Sequence, residues 1–548
     1  MGIAGKPAKS GLPFFRIKSS CSFPGAIWYN IPSRKNNAKE VLSMKHLFRL
    51  CRMLIPILLA CCLALTGAAS AEETLVVNPE AEPLSREDML SMVKEATDAF
   101  YHDEELLNEL QSEVTVAEEE IPLTEEDGSI KAPVLTLTHG GKAMRCFMMF
   151  LGDSGEGEGP WPLYLTLHGG GGAEPEFNNS QWLSMADYYA DSGISGLYVA
   201  CRGITDTWDL HFQEDTYPLL DRLIGAMVLL YGADPDRVYL LGFSAGGDGV
   251  YQLSPRLADR FAAVNMSSGH PNGVSLLNLA NCPICLQAGI RDFYSDTALR
   301  SVRAAEFDKT LSDYHDKYGF GYRHRVFIHV PAGHNYVDYQ DCESTVLKDP
   351  SAFAARAEDP DFLERFLDIA EQNGLARDVP TLSYTLDGTN PGFDRDCKDL
   401  VTEDFGLETE TANTSATAYV SQFTRDPAPV NLVWDLSTRA QKREKNSFYW
   451  LEAAPEVNQG VITASYDPQT NTITVEPDAG VNGDFAILFH PALVDVSLPV
   501  TVRTGDITRT VRVNPSREFL EASMRETGDP EMACVGKILY SRILHPEN

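Results

Sequence analysis

The run Gly242-Phe243-Ser244-Ala245-Gly246-Gly247 places a serine between glycines two residues before it and two residues after it. A serine hydroxyl is a weak nucleophile until a neighbouring base takes its proton, and the chain must also present it outside the fold. Glycines at these two positions let the backbone turn sharply from a strand into a helix without side-chain clashes. The pattern therefore predicts that Ser244 is a nucleophile on such a turn.

A second glycine-rich segment, His168-Gly169-Gly170-Gly171-Gly172, directly follows the apolar run 163–167. Attack on a carbonyl group builds negative charge on its oxygen, and two backbone N–H groups aimed at that oxygen stabilise it. We expect one N–H from Ala245 and the other from Gly169 or Gly170, where the absence of side chains lets the backbone approach a substrate.

The base that activates such a serine is expected in a loop late in the chain. Pro331-Ala332-Gly333-His334 follows the predicted strand 326–330, so His334 is the leading candidate. His324 and His329 lie before or within that strand, and we interpret them as structural.

The acid should precede the base and orient its imidazole ring without taking the proton. Gly289-Ile290-Arg291-Asp292 comes just after the predicted strand 284–288, which favours Asp292. Asp296 is the alternative.

Further polar and aromatic residues follow other predicted strands, where loops line the ligand clefts of α/β folds. Arg202 follows the predicted strand 196–201, with Trp208 and His211 downstream, and His270 follows the predicted strand 262–266. These four residues are candidates for contacting a substrate. The alternative is that the arginine forms an internal ion pair and the tryptophan packs in the core.

Strand and helix patterns alternate over residues 131–390, which predicts an α/β fold with a doubly wound, mostly parallel sheet. Residues 72–130 precede it as a helical lead-in, because apolar residues recur at helical spacing over 85–112. Residues 415–548 show short alternating runs and the turn signal Asp467-Pro468-Gln469-Thr470-Asn471. They predict a C-terminal all-β, sandwich-like domain.

Four segments together (168–172, 236–247, 289–292 and 333–334) resemble the polyhydroxybutyrate-depolymerase and feruloyl/acetyl-xylan-esterase branch of the α/β-hydrolases. Prolyl-oligopeptidase-like proteins share some of these features. The resemblance covers residues 130–380 and implies an acyl-enzyme mechanism without a cofactor. It implies the roles of nucleophile, acid, base and oxyanion-hole amides for Ser244, Asp292, His334, and Gly169 or Gly170 with Ala245.

The charge is unevenly distributed along the 548 residues. Residues 72–548 contain 35 Lys and Arg against 77 Asp and Glu, a net charge of −42. Such a surface repels phosphate backbones, so we expect no nucleic-acid partner. We also expect no metal site, since no second Cys or His pair stands near Cys282-Pro283-Ile284-Cys285 to complete one.

Residues 44–71 are typical of a signal peptide, with Lys45 at a basic start, an apolar run over 53–65 and Ala69-Ser70-Ala71 as a cleavage region. The apolar run is too short for a comfortable membrane anchor, so we expect no stable membrane span in a secreted or cell-surface mature protein. Lipid attachment at Cys61 is a minor alternative. Residues 1–43 have no fold signal and are interpreted as a possible upstream extension.

Three functions are compatible with these patterns. The first is a serine esterase acting on small or polymeric esters, including carbohydrate-linked ones. The second is a prolyl-oligopeptidase-like peptidase, although only about 60 residues separate the signal segment from the hydrolase pattern, too few for a propeller. The third is a surface binding protein on an inactive hydrolase scaffold.

Overall fold

The computed structural model describes residues 74–152, 159–292, 299–330, 332–336, 338, 343–362, 364, 365, 368, 406–440, 442, 443 and 445–547. The predicted extension 1–43, the predicted signal peptide 44–71 and the alternative acid Asp296 lie outside these residues. Leu75–Asn548 form a single compact unit.

Strands and helices alternate through most of this unit. The elements before residue 300 are β1 (Leu75–Val77), α1 (Arg86–Tyr101), α2 (Glu104–Glu113), β2 (Val114–Pro122), β3 (Ser129–His139), β4 (Lys142–Leu151), β5 (Trp161–Leu167), α3 (Pro175–Tyr188), β6 (Gly196–Cys201), α4 (Thr216–Tyr231), β7 (Ala233–Phe243), α5 (Ala245–Leu253), β8 (Ala263–Ser267) and β9 (Ile284–Gly289). Short 3-10 turns in this half are Ala190–Ser192, Ala258–Arg260 and Leu277–Asn281.

The second half begins with helices and strands and ends in two small sheets. Its elements are α6 (Arg300–Tyr318), β10 (His324–His329), β11 (Glu343–Leu347), α7 (Pro350–Ala357), β12 (Thr409–Asn413), α8 (Ala416–Val420), β13 (Asn431–Asp435), β14 (Ser447–Phe448), β15 (Leu451–Ala453), β16 (Val461–Asp467), β17 (Thr472–Pro477), β18 (Phe485–Leu488), β19 (Val500–Thr504), β20 (Ile507–Val513), α9 (Arg517–Thr527), β21 (Lys537–Leu539) and α10 (Tyr540–Leu544). Leu436–Thr438 and Pro530–Met532 are 3-10 turns.

Within the described residues, eleven strands form the central sheet in the order β12-β11-β10-β9-β8-β7-β5-β6-β4-β3-β2. The six strands from β10 to β6 in this order run parallel, and the strands outside them on both sides pair antiparallel. The connection from β5 to β6 goes to one side of β5, whereas the next crossover places β7 on the other side. Strand order therefore reverses at the β5–β7 pair, where α/β sheets open a crevice for ligands.

Successive residues of the parallel strands face two different cores. Leu240 of β7 packs with α4 and α5 in one cluster, and the adjacent Tyr239 and Leu241 pack with α3 and α8 in another. Because both faces of these strands are covered, they read as nearly continuous apolar runs in the sequence. The predicted α/β fold is confirmed, but its sheet is mixed rather than mostly parallel: within the described residues, five of its ten strand pairs are parallel and five are antiparallel.

Two regions differ from their predicted structure. The lead-in is helical in α1 and α2, but its last part is β2, which pairs with β3 at the edge of the central sheet. The C-terminal region is not all-β, because α9 lies between β20 and β21. Ser516 caps this helix by accepting a hydrogen bond from the Phe519 N–H, and Leu520 and Met524 bury the same face four residues apart. In the sequence, the strand patterns on both sides of α9 obscure these helix signals.

The C-terminal strands build a six-stranded sheet in the order β1-β20-β19-β17-β16-β13 and a four-stranded sheet in the order β14-β15-β18-β21. Strand β1, from the other end of the described chain, pairs in parallel with β20. Strand β12, which lies between the two predicted domains in the sequence, extends the central sheet beside β11. The predicted boundaries at 390 and 415 stay a prediction.

A cluster of charged residues links the C-terminal sequence to the central sheet. Its members, here called the charge cluster, are Arg260, Arg425, Arg443, Lys445, Asp221, Asp236, Asp259 and Asp529. Asp259 is fully buried and lies 2.8 Å from the Lys445 ammonium and 3.3 Å from the Arg443 guanidinium. Burial alone would raise the pKa of Asp259, but these cations outweigh it and lower the pKa. The four positive and four negative groups neutralise one another inside the fold.

We expect Asp259→Asn to lower the free energy of unfolding by about 3 kcal/mol or more, because it leaves two buried cations short of a counter-charge. Asp313→Asn, which removes an exposed partner of Lys309, should cost less than about 1 kcal/mol. Guanidinium denaturation followed by tryptophan fluorescence measures both values. Equal small losses for the two variants would contradict a stabilising role for the charge cluster.

Candidate active site

Ser244 occupies the turn between β7 and α5 with φ 58° and ψ −120°, a backbone conformation that residues other than glycine rarely adopt. Its own N–H donates to the Ser267 carbonyl at 2.9 Å, which fixes the turn to β8. A Cβ added to Gly242 would lie 2.2 Å from the Gly246 oxygen, and one added to Gly246 would lie 2.0 Å from the Leu167 oxygen. Glycine is therefore required at both positions, as the motif predicted, and the strained serine is held by its surroundings.

The structure brings the predicted nucleophile, base and acid into one hydrogen-bonded chain. Ser244 Oγ lies 2.9 Å from His334 Nε2, and His334 Nδ1 lies 2.9 Å from Asp292 Oδ2. A carboxylate accepts, so Nδ1–H donates to Asp292 and Nε2 is left to accept the serine proton. This arrangement is able to activate a serine hydroxyl as a nucleophile.

Further contacts hold His334 and Asp292 in place. Ser268 Oγ donates to the His334 carbonyl at 2.8 Å, so the loop after β8 holds the loop that carries His334. The Asp292 side chain is fully buried, and its second oxygen lies 3.7 Å from the Arg300 guanidinium at the start of α6. Asp292 therefore lies between the His334 imidazole and the Arg300 guanidinium.

The glycine-rich loop after β5 lies against Ser244. A Cβ added to Gly169 would be 3.3 Å from Ser244 Cβ and 3.0 Å from Gln181 Oε1. Within the described ranges, neither the Gly169 N–H nor the Ala245 N–H donates to another group of the protein. Gly170 has φ +100°, and a Cβ on it would lie 2.3 Å from Asn178 Oδ1. Gly169, rather than Gly170, is thus the glycine of the predicted pair that directly contacts Ser244.

Two buried histidines anchor this loop. The Gly203 N–H donates to His168 Nε2 at 3.0 Å, so Nδ1 carries the proton and donates to the Gly169 carbonyl at 2.6 Å. His211 Nε2 donates to the His168 carbonyl at 2.8 Å. Burial lowers the pKa of His211 to about 3 and lowers that of His168 well below its usual value. Both rings therefore stay neutral at ordinary pH, and the loop anchor does not titrate.

The four predicted substrate contacts have different environments. Arg202 is buried, and its guanidinium bonds to Asn179, Asp206 and nearby carbonyls, so it fixes a loop as the alternative interpretation proposed. His211 is likewise buried in the loop anchor. Trp208 is 58% exposed, and its backbone carbonyl lies 3.1 Å from the Cβ position of Gly171.

His270 lies in the loop after β8, as expected, and is half-buried. Its N–H donates to Asp248 in the first turn of α5 at 2.6 Å, and its ring bonds to Asn272 at 2.9 Å. Of the four candidates, Trp208 thus has the most accessible side chain.

Several residues that support the site carry no motif. Asn178 accepts from the Gly171 N–H at 2.8 Å and donates to Asp206 at 2.9 Å, so it holds the end of the glycine-rich loop. Gln181, three residues later on α3, adjoins Gly169. One sequence signal could have identified these residues. They are polar, yet they lie on a stretch of α3 that otherwise faces the core and contains the buried Trp182.

Within the described residues, no group of three or more His, Cys, Asp or Glu is arranged to hold a metal ion. No helix in the same ranges combines the length and apolar character needed to cross a membrane.

We expect Asn178→Leu to release the glycine-rich loop, because the half-buried Gly171 N–H loses its acceptor. Losing such a hydrogen bond costs about 1–3 kcal/mol, so amide exchange at Gly171 should accelerate about tenfold or more. Hydrogen exchange followed by mass spectrometry of peptides covering 168–173 measures this. Ser184→Ala, on the exposed side of the same helix, is the control and should leave exchange unchanged. Equal protection in Asn178→Leu and the wild type would contradict the anchoring role.

Comparison with known proteins finds similarity to esterases over part of the chain. No protein-family model matches it. It is 34% identical over 113 residues to a bifunctional acetylxylan esterase/xylanase of Neocallimastix patriciarum, covering 20% of this chain and 16% of that protein. It is 33% identical over 121 residues to a putative esterase of Nocardia uniformis subsp. tsuyamanensis, covering 20% of this chain and 33% of the relative. The chain thus spans about a sixth and a third of these curated relatives.

Among solved structures, a ferulic acid esterase matches with 16% identity and a TM-score of 0.27, over 36% of this chain and 89% of that one. Est1E from Butyrivibrio proteoclasticus matches with 12% identity and a TM-score of 0.24, over 37% and 90% of the two chains. These superpositions are partial, and the fold assignment rests on the strand order instead. The predicted resemblance to the esterase branch of the α/β-hydrolases is confirmed by the curated relatives, over about a fifth of the chain.

Proposed function

We propose that this protein is a serine carboxylic ester hydrolase that works through a covalent acyl-enzyme intermediate. The observation that supports it most directly is the pair of 2.9 Å distances that link Ser244 to His334 and His334 to Asp292. The partial similarity to two esterases supports the same reaction class.

In the first step, Ser244 Oγ attacks the ester carbonyl carbon while His334 Nε2 takes the hydroxyl proton. The carbonyl oxygen becomes negatively charged, and the N–H groups of Gly169 and Ala245 are the donors we assign to it. Ala245 begins α5, so the positive end of the helix dipole adds to this stabilisation. The imidazolium of His334 is stabilised by the Asp292 carboxylate.

In the second step, His334 gives its proton to the departing alcohol oxygen, and the ester bond breaks to leave an acyl group on Ser244. A water molecule then attacks the acyl carbon while His334 takes one of its protons. Collapse of the second tetrahedral intermediate returns the proton to Ser244 and releases the acid. The same base therefore serves both halves of the reaction.

Small or polymeric esters, including carbohydrate-linked ones, are the substrates we propose. The relative named as an acetylxylan esterase supports an ester on a carbohydrate. Exposed Trp208, beside Gly171 and Gly172 of the glycine-rich loop, offers a flat apolar surface for a ring of the substrate.

We further propose that the protein acts outside the cytoplasm, in secreted form or at the cell surface. This rests on the signal-peptide pattern of residues 44–71. The strongly acidic composition of residues 72–548 also keeps nucleic acids out of the proposed set of partners.

Ser244→Ala is expected to lower kcat for p-nitrophenyl acetate by a factor of about 10⁴ or more, because no other group takes over the attack. It should also abolish covalent labelling by a fluorophosphonate probe. Ser184→Ala serves as the matched control and should retain both properties. Labelling that survives in Ser244→Ala would refute the nucleophile assignment.

Two further outcomes separate the alternative functions. Wild-type protein that neither hydrolyses aryl esters nor reacts with the probe would favour the binding-protein hypothesis. Cleavage of short proline-containing peptides faster than aryl esters would favour the peptidase hypothesis.

Gly169→Ala is expected to lower kcat about ten- to hundredfold, with a smaller change in KM. The added methyl group would press on Ser244 and Gln181 and displace the N–H that we assign to the oxyanion. Gly225→Ala in α4 is the control, because its added methyl group meets no atom closer than 4.0 Å. Unchanged kcat in Gly169→Ala would count against this part of the oxyanion hole.

A further inference from the structure

Two cysteines face each other between neighbouring strands of the central sheet. Cys146 on β4 is directly opposite Cys201 on β6, and their sulfur atoms are 3.8 Å apart. Both side chains are fully buried. The contact joins positions 55 residues apart in the sequence.

The register of the two strands suits a covalent link. The Arg202 N–H donates to the Arg145 carbonyl at 2.8 Å, which makes Cys146 and Cys201 a non-hydrogen-bonded pair of the antiparallel ladder. In such pairs the Cα atoms are about 4.5 Å apart and the side chains are close together. Disulfides span Cα distances of about 4.4–6.8 Å, so the backbone already has a suitable separation.

The other described cysteines do not share this arrangement. Cys282 and Cys285 are three residues apart, but they pack in different hydrophobic clusters on opposite sides of the sheet. Cys534 lies in the C-terminal region and contacts the Met532 carbonyl. Cys342 and Cys397 are outside the described residues. A facing pair is therefore a specific property of β4 and β6 among the described cysteines.

We propose that Cys146 and Cys201 form a cross-strand disulfide when the chain folds in an oxidising compartment. One thiolate attacks the disulfide of a donor, such as oxidised glutathione, to give a mixed disulfide and one released thiol. The second thiolate then attacks the protein sulfur of that mixed disulfide and releases the second thiol. The two cysteines are oxidised, the donor disulfide is reduced to two thiols, and no other reactant is needed.

The disulfide forms during folding and not in the folded protein. The contact with Cys201 and burial together raise the pKa of the Cys146 thiol, so little thiolate exists once the strands have closed. Burial also keeps a donor molecule away from both sulfur atoms. The link therefore forms while β4 and β6 come together.

The position of the link connects it to the loop beside Ser244. Cys201 ends β6, and the chain continues into Arg202 and Gly203. The Gly203 N–H donates to His168, which in turn holds the Gly169 carbonyl. A disulfide at Cys201 would fix the end of β6, two residues before the Gly203 N–H that bonds to His168.

The test is to map disulfides in the full chain after refolding in a glutathione redox buffer, in parallel with chain kept in dithiothreitol. Free thiols are alkylated under denaturing conditions, and the protein is digested without reduction. We expect a peptide pair linking Cys146 to Cys201, two hydrogen masses lighter than the sum of the free peptides, in most of the oxidised sample. Recovery of both cysteines fully alkylated from the folded, oxidised protein would overturn the proposal.

Variants supply the control. Cys146→Ser should remove the linked peptide, whereas Cys534→Ser should leave it. The wild-type map decides the question even if Cys146→Ser does not fold, and because it measures thiols it is independent of the proposed esterase activity. The oxidised wild type should also melt about 3 °C or more above the reduced form, since the link restricts the unfolded chain. Equal melting temperatures would contradict a stabilising link.

Discussion

The site depends on a close contact between two backbones at the reversal of strand order. The turn after β7 packs so closely on the end of β5 that the Cβ of any residue replacing Gly246 would lie 2.0 Å from the Leu167 oxygen. This contact places Ser244, in its strained conformation, beside Gly169. The proposed nucleophile and the proposed oxyanion donors are thus positioned by one packing constraint rather than by flexible side chains.

Hydrogen bonds restrict the loops around Ser244. Neutral, buried His168 and His211 fix the glycine-rich loop, while Ser268 fixes the backbone of His334. Burial lowers the pKa of these two imidazole rings, so they stay neutral and keep their hydrogen bonds at ordinary pH. His168 and His211 therefore support the loop, whereas His334 faces the serine.

The C-terminal region is connected to the α/β fold through buried contacts. The charge cluster joins Asp221 of α4 and Asp259 to cations that come from beyond residue 415, and β1 pairs with β20 at the opposite end of the chain. Removing one partner from a buried set of charges is costly because the remainder stay desolvated. We therefore infer that the charge cluster couples the stability of the C-terminal region to that of the α/β fold.

The sequence by itself determined the parallel strands, the turn around Ser244 and the order of Asp292 and His334, because continuous apolar runs and required glycines are local signals. It did not reveal α9 or the final strand of the lead-in, where helix and strand patterns overlap. It also could not separate Arg202 and His211, which are buried supports, from exposed Trp208. Only the tertiary structure decided these roles, since burial and hydrogen-bond partners arise from segments far apart in the chain.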